Sequence, residues 1–110
     1  KTSGSPVFVS IHLNSSPNTG AAGVETYHYS SKSARLDRAV HQQVVAAAGS
    51  HDRRVRRARF YVLRHDNRPS VLLELGFLSN ASAGAKIARS ANHRQKLANA
   101  VVAGICSVVR

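Results

Sequence analysis

A single cysteine, Cys106, leaves no partner for an internal disulfide, and methionine is absent altogether, even at position 1. The missing methionine points to a processed product or an excised piece of a longer chain. No apolar run approaches the length of a membrane span, and no secretory signal pattern opens the sequence. Acidic residues are scarce as well: five Asp and Glu stand against 16 Lys and Arg, for a formal net charge of +11. A surface that positive attracts polyanions such as nucleic acid, anionic lipid or an anionic cell-wall polymer, and charge alone does not choose among them. Only two glutamates occur, Glu25 and Glu74. What is present fits one domain of modest core, since 43% of the 110 residues are hydrophobic. Cys106 lies in an apolar stretch and reads as a packed, inert thiol.

Strand-like and helix-like segments alternate, which predicts an α/β domain: a mostly parallel twisted sheet with helices packed on its faces. Val7, Phe8, Val9 and Ile11 read as a strand apolar on both sides, as in a covered parallel sheet. Residues 24–29 (VETYHY) alternate as a second strand. Leu36, Val40, Val44 and Ala47 recur at helical spacing, Ser30 to Ser33 offer N-caps, and Gly49 supplies the stop. Ser50 to Arg59 reads as a polar, arginine-rich connection, FYVLR (60–64) as a strand, HDNRPS (65–70) as a turn and VLLEL (71–75) as a buried strand. A short helix is expected over Ala83 to Arg89. A longer one begins near Asn92 and Gln95 as a capping-box-like pair, and its stripe of Leu97, Val101, Ile105 and Val108 should pack across the sheet.

Two positions carry candidate chemistry. His12 follows the first strand, at the carboxyl end where ligands collect in open α/β sheets; a histidine that satisfies a neighbouring backbone group is the plainer reading. Glu74 follows Leu72 on one face of an apolar strand, and a buried carboxylate is costly unless paired, metal-bound or protonated. Those are the conditions under which Glu acts as a general acid or base, although a strand-end Glu paired with an arginine has the same sequence. A histidine and a carboxylate on one sheet edge fit a metal-activated water with a carboxylate base. Zinc hydrolase sites need three protein ligands, and neither HExxH nor an i, i+4 histidine pair occurs. His28, His41, His51, His65 and His93 read as surface residues. The run Arg53 to Arg59 could hold phosphates without sequence preference. No helix-turn-helix, zinc finger, RNP or KH motif accompanies it, so specific nucleic-acid recognition is not expected.

FVSIHLN (8–14), GVETYHY (23–29), RARFYVLRHDNRPSVLLELGFLSN (57–80) and KLANAVVAGI (96–105) together resemble the zinc-dependent N-acetylmuramoyl-L-alanine amidases of bacterial cell-wall turnover. The resemblance is collinear and covers nearly the whole chain. It implies that His12 is a zinc ligand and Glu74 the catalytic acid/base, acting on the amide between the lactyl group of N-acetylmuramic acid and L-alanine in peptidoglycan. It also implies a place in the cell envelope, periplasmic or extracellular. In the family a glycine-flanked histidine and a glutamate complete the zinc site, both upstream of the strand that opens this chain. Residues 1–110 are therefore expected to be the C-terminal portion of a single amidase catalytic domain. Such a piece would bind zinc weakly, hydrolyse peptidoglycan poorly on its own, and expose a sheet edge open to homo-oligomer formation. Arg54 stands where the family usually has glycine. The alternatives are a second chain that supplies the absent ligands, or a non-catalytic basic module that binds cell wall or polyanion.

Overall fold

The computed structural model describes residues 6–109. Its elements are β1 (Phe8–Asn14), β2 (Val24–His28), a 3-10 turn (Ser31–Ser33), α1 (Ala34–Ala48), β3 (Asp52–Arg57), α2 (Tyr61–Arg64), β4 (Ser70–Phe77), α3 (Ala81–Arg89) and α4 (Ala91–Val108). The four strands form one sheet in the order β1-β4-β2-β3. β1 runs parallel to β4 and β2 parallel to β3, while β2 and β4 are antiparallel. The α/β class and the largely parallel pairing are as the sequence pattern predicts.

The buried core lies between the sheet and α1. Leu36, Val40 and Val44 on α1 meet Val24 on β2 and Val71 and Leu73 on β4, all 1% exposed or less. α1 ends where glycine is needed: Gly49 takes φ 61°, and its N–H bonds the carbonyl of Val45. At the helix's far turn Ala48, not Ala47, is buried. α4 rests chiefly on α1 instead of spreading across the sheet. The contact is tight at Gly104, where a Cβ would stand 2.6 Å from the Val40 Cα. Leu97, Ala100 and Val101 complete the shared core.

Several local readings change. β1 is an edge strand among the described residues, with Ile11 and Leu13 exposed to 55% and 41%, so its apolar faces are not covered as a central parallel strand's would be. The arginine-rich stretch is not a connection but strand β3. It tolerates its charge because it lies at the other edge, where solvent reaches the side chains. FYVLR forms a single helical turn instead of a strand. The N–H groups of Leu63 and Arg64 both reach the Phe60 carbonyl, and Leu63 alone is buried within α2. Its short apolar run is the kind that periodicity cannot assign to strand or helix. The cap of α4 is Ser90, whose Oγ accepts the His93 N–H at 3.1 Å, and not Asn92. Cys106 is exposed, because it faces away from the α1–α4 contact. β4 also extends beyond the predicted strand to Phe77, and α3 begins at Ala81.

Candidate active site

Period-two alternation and strand register together build one row of side chains. Glu74 on β4 is the direct partner of His12 on β1 and, on its other side, of Glu25 on β2. Residues so paired point to the same face, with Cβ atoms about 5 Å apart. The two residues singled out from the sequence therefore lie side by side on neighbouring strands. Neither closes its strand: Asn14 and Phe77 follow, and the register shifts between His12 and Asn14.

The two partners differ in environment. The His12 imidazole is exposed, and its Nε2 lies 2.8 Å from Ser10 Oγ. Glu74 is half-buried, and its Oε1 is enclosed without a hydrogen-bond partner among the described residues. Burial raises its pKa above the ordinary glutamate value. The His12 charge opposes that rise and the Glu25 carboxylate adds to it. A carboxylate that holds its proton more tightly than a free glutamate, with one oxygen unspent, is equipped for proton transfer.

Glu25 was not picked out from the sequence, although it is the other member of a set of two glutamates and sits between two residues buried as strand core. It is buried. Oε1 accepts the Tyr27 hydroxyl at 2.8 Å and the Asn14 amide at 3.2 Å, while Oε2 lies 3.5 and 3.3 Å from the Nε atoms of Arg53 and Arg56. Burial, and then the bond to Glu25, pushes the Tyr27 hydroxyl up to about 12. Glu25 thus organises the row's flank, with Oε1 doubly hydrogen-bonded and Oε2 facing two guanidiniums. Arg53 also stacks its guanidinium over the Phe77 ring, 4.9 Å from the centroid.

The remaining histidines serve elsewhere. His41 is buried, not on a polar surface as its helix position implied. It bridges Thr26 Oγ1 at 2.8 Å and Asp52 Oδ1 at 2.6 Å and so ties α1 to both β2 and β3. His28 Nδ1 meets the buried Asp37 Oδ2 at 2.5 Å. Thr26 and His28 occupy the β2 face opposite Glu25 and Tyr27, so these pairs brace the sheet from behind. His51 and His65 are exposed, and His93 is half-buried at the start of α4.

Among the described residues no cluster of three or more His, Cys, Asp or Glu side chains could hold a metal ion. His12, exposed and bonded only through Nε2 to the Ser10 hydroxyl among the described residues, fits as one ligand. Glu25 does not, since Tyr27 and Asn14 hold its Oε1 and two guanidiniums, which would repel a cation, face its Oε2. One histidine falls short of the three protein ligands of a zinc hydrolase site. No helix of the described residues is long and apolar enough to cross a membrane.

Comparison with known proteins places this geometry in context. The chain is 42% identical over 105 residues to the uncharacterized protein YqiI of Bacillus subtilis, covering 92% of this chain and 50% of that protein. It is 35% identical over 108 residues to the N-acetylmuramoyl-L-alanine amidase LytC of the same organism, covering 94% of this chain and 22% of LytC. Among solved structures, it superposes on the catalytic domain of CwlV, an N-acetylmuramoyl-L-alanine amidase from Bacillus (Paenibacillus) polymyxa var. colistinus. That match has a TM-score of 0.88 and 37% identity over 93% of this chain and 56% of that one. The chain thus spans about half the length of YqiI and of the CwlV domain. The family model described as N-acetylmuramoyl-L-alanine amidase matches residues 1–107, and the chain belongs to that family of peptidoglycan cell-wall hydrolases.

Proposed function

We propose that this chain is the C-terminal portion of an amidase catalytic domain that hydrolyses the amide between N-acetylmuramic acid and L-alanine in peptidoglycan, in the periplasm or outside the cell. Glu74 is its catalytic acid/base and His12 one of its zinc ligands. The observation that supports this reading is the pairing of an exposed imidazole with a carboxylate whose enclosed oxygen has no partner. Zinc, when bound, would supply Lewis-acid polarisation of the scissile carbonyl. Glu74 then has two tasks. Its free oxygen takes the proton of the attacking water, and the same group returns a proton to the leaving α-amine of L-alanine. Both tasks suit a carboxyl whose pKa burial has raised. Glu25 keeps Tyr27, Asn14 and the two arginines in place beside it. A net positive surface suits an anionic wall polymer.

The test is a chimera in which residues 6–109 replace the matching segment of the CwlV catalytic domain. Digestion of purified peptidoglycan should release peptides with a free L-alanine amino terminus, read by mass spectrometry. Glu74→Gln should lower the rate about 10²- to 10⁴-fold, the usual worth of a positioned acid/base. A chimera that folds and sediments with peptidoglycan yet releases no peptide would favour the non-catalytic wall-binding module.

A further inference from the structure

The arginine run of β3 is the feature that the proposed chemistry leaves unused. In a regular strand Arg53 and Arg56, three positions apart, would point to opposite faces. Here they do not. Between Val24 and Thr26 the partner strand advances from Asp52 to Val55, so β3 carries one residue more than β2, and Arg54 takes φ 83° at that point. Such a bulge re-aims side chains and is common beside active sites. Its effect is to bring both guanidiniums onto Glu25 Oε2, at 3.5 and 3.3 Å. The Arg56 Nε further donates to the Arg53 carbonyl across the bulge at 3.2 Å. A left-handed conformation at a non-glycine residue is a cost that marks a constrained site.

The cluster is left with an excess of one positive charge. One carboxylate faces two guanidiniums, and both approach it through Nε. The terminal Nη amines of Arg53 and Arg56 make no hydrogen bond to any described residue, and the Arg53 Nε is buried without one. Arg56 is half-exposed and Arg53 one-third exposed. An open cleft of about 240 Å³ adjoins them, lined by His51, Asp52, Arg53, Arg54 and Arg56. Asp52 there is already engaged by His41 and by the Arg54 N–H. Arg57, by contrast, registers with His28 and is spent on Tyr29, donating to its carbonyl at 2.8 Å and stacking on its ring.

Distance selects the group that would be held. From β4, which carries Glu74, to β3 is two strand spacings, about 10 Å. An extended peptide advances about 3.5 Å per residue. A peptide whose first residue gives up its amide at Glu74 therefore brings an acidic group of its second residue within reach of the arginines. We infer that Arg53 and Arg56 form a carboxylate subsite for the second residue of the stem peptide; the inference rests on the amidase reading for its substrate. The fork of free Nη amines matches a carboxylate in two parallel bonds.

The experiment measures binding by the 110-residue chain, independently of hydrolysis. N-acetylmuramoyl-L-alanyl-D-glutamate and the same compound with its carboxylates amidated are titrated by NMR, each at low and at moderate salt. The free acid should bind about tenfold more tightly, the scale of one charge-assisted bond at a partly exposed site. Arg56→Gln should remove that preference, while Arg57→Gln, which deletes the same charge on the other face, should retain it. Urea midpoints confirm that each variant is folded, and Arg53→Gln serves as the second deletion on the same face. Equal binding of acid and amide overturns the subsite, as does an equal loss in Arg56→Gln and Arg57→Gln. So does a DNA oligonucleotide that binds tightly while the acid and amide are not distinguished, which would make the run a polyanion surface. An inactive chimera with the preference intact would refute the amidase reading and leave the carboxylate subsite standing; an active chimera without the preference would do the reverse.

Discussion

Arg54→Gly should stabilise this protein, and the gain can be worked from the backbone. Arg54 holds φ 83°, where an L residue crowds its Cβ against the following carbonyl at a cost of about 1–2 kcal/mol. Glycine removes that cost but returns about 0.4–1 kcal/mol through the larger entropy of its unfolded chain. Nothing else of weight is lost. The Arg54 side chain is exposed, and its backbone N–H, which donates to Asp52 Oδ1 at 2.8 Å, is retained by glycine. The net gain is about 0.5–1 kcal/mol, or roughly 4 °C in Tm for a chain of this size. Arg54→Ala is the control, because it deletes the same charge and keeps the Cβ. Thermal unfolding followed by circular dichroism at neutral pH should place Arg54→Gly above both Arg54→Ala and the parent. If glycine proves no more stabilising than alanine, then strain at this bulge is not what the backbone stores, and relief of arginine repulsion is the better account.

Other consequences follow from the pairs behind the sheet and from its open edge. Asp37 is fully buried, its Oδ1 has no donor among the described residues, and burial pushes its carboxyl up to about 6 in spite of the His28 bond. The folded state therefore keeps a proton that the unfolded chain releases near pH 3.8. Stability from this group is complete below that value and falls by up to about 3 kcal/mol as pH rises to 6 and beyond. Urea titrations between pH 4 and 7 should show that slope in the parent and not in Asp37→Asn, whose side chain can still accept from His28; parallel curves would refute it. At the edge, exposed Ile11 and Leu13 on a strand paired on one side only among the described residues should make the chain self-associate at high concentration. Ile11→Lys should abolish the concentration dependence seen by sedimentation, and a parent that stays monomeric throughout would contradict this.

The strong periodicities were legible. The stripe of α1, its glycine stop, the buried β4 strand and the apolar face of α4 all follow from residues whose spacing has one structural solution. The weak ones were not. FYVLR holds too few residues for its period to show, and the strand beside β2 is instead DRRVRR, whose charge conceals it because an edge strand need not bury its side chains. Of the candidate site, His12 and Glu74 stood out as polar residues in apolar strands. Their direct register depends on pairing between residues 62 positions apart, which no local pattern contains. Glu25 went unnoticed because its value is relational: a carboxylate inside an alternating strand shows its role only once Tyr27, Asn14, Arg53 and Arg56 converge on it. The convergence of the two arginines requires the bulge at Arg54, and an arginine there hides the turn that a glycine would have signalled.

The most direct test of the central claim is whether His12 and Glu74 act as one unit. In the active chimera, initial rates of peptide release should be measured for His12→Ala, Glu74→Gln and the double variant. The account predicts that each single change removes most of the rate and that the double variant loses little more than the worse of the two, since groups serving one water cannot be removed twice. Losses that multiply in the double variant, or a His12→Ala protein that keeps its rate, would contradict it.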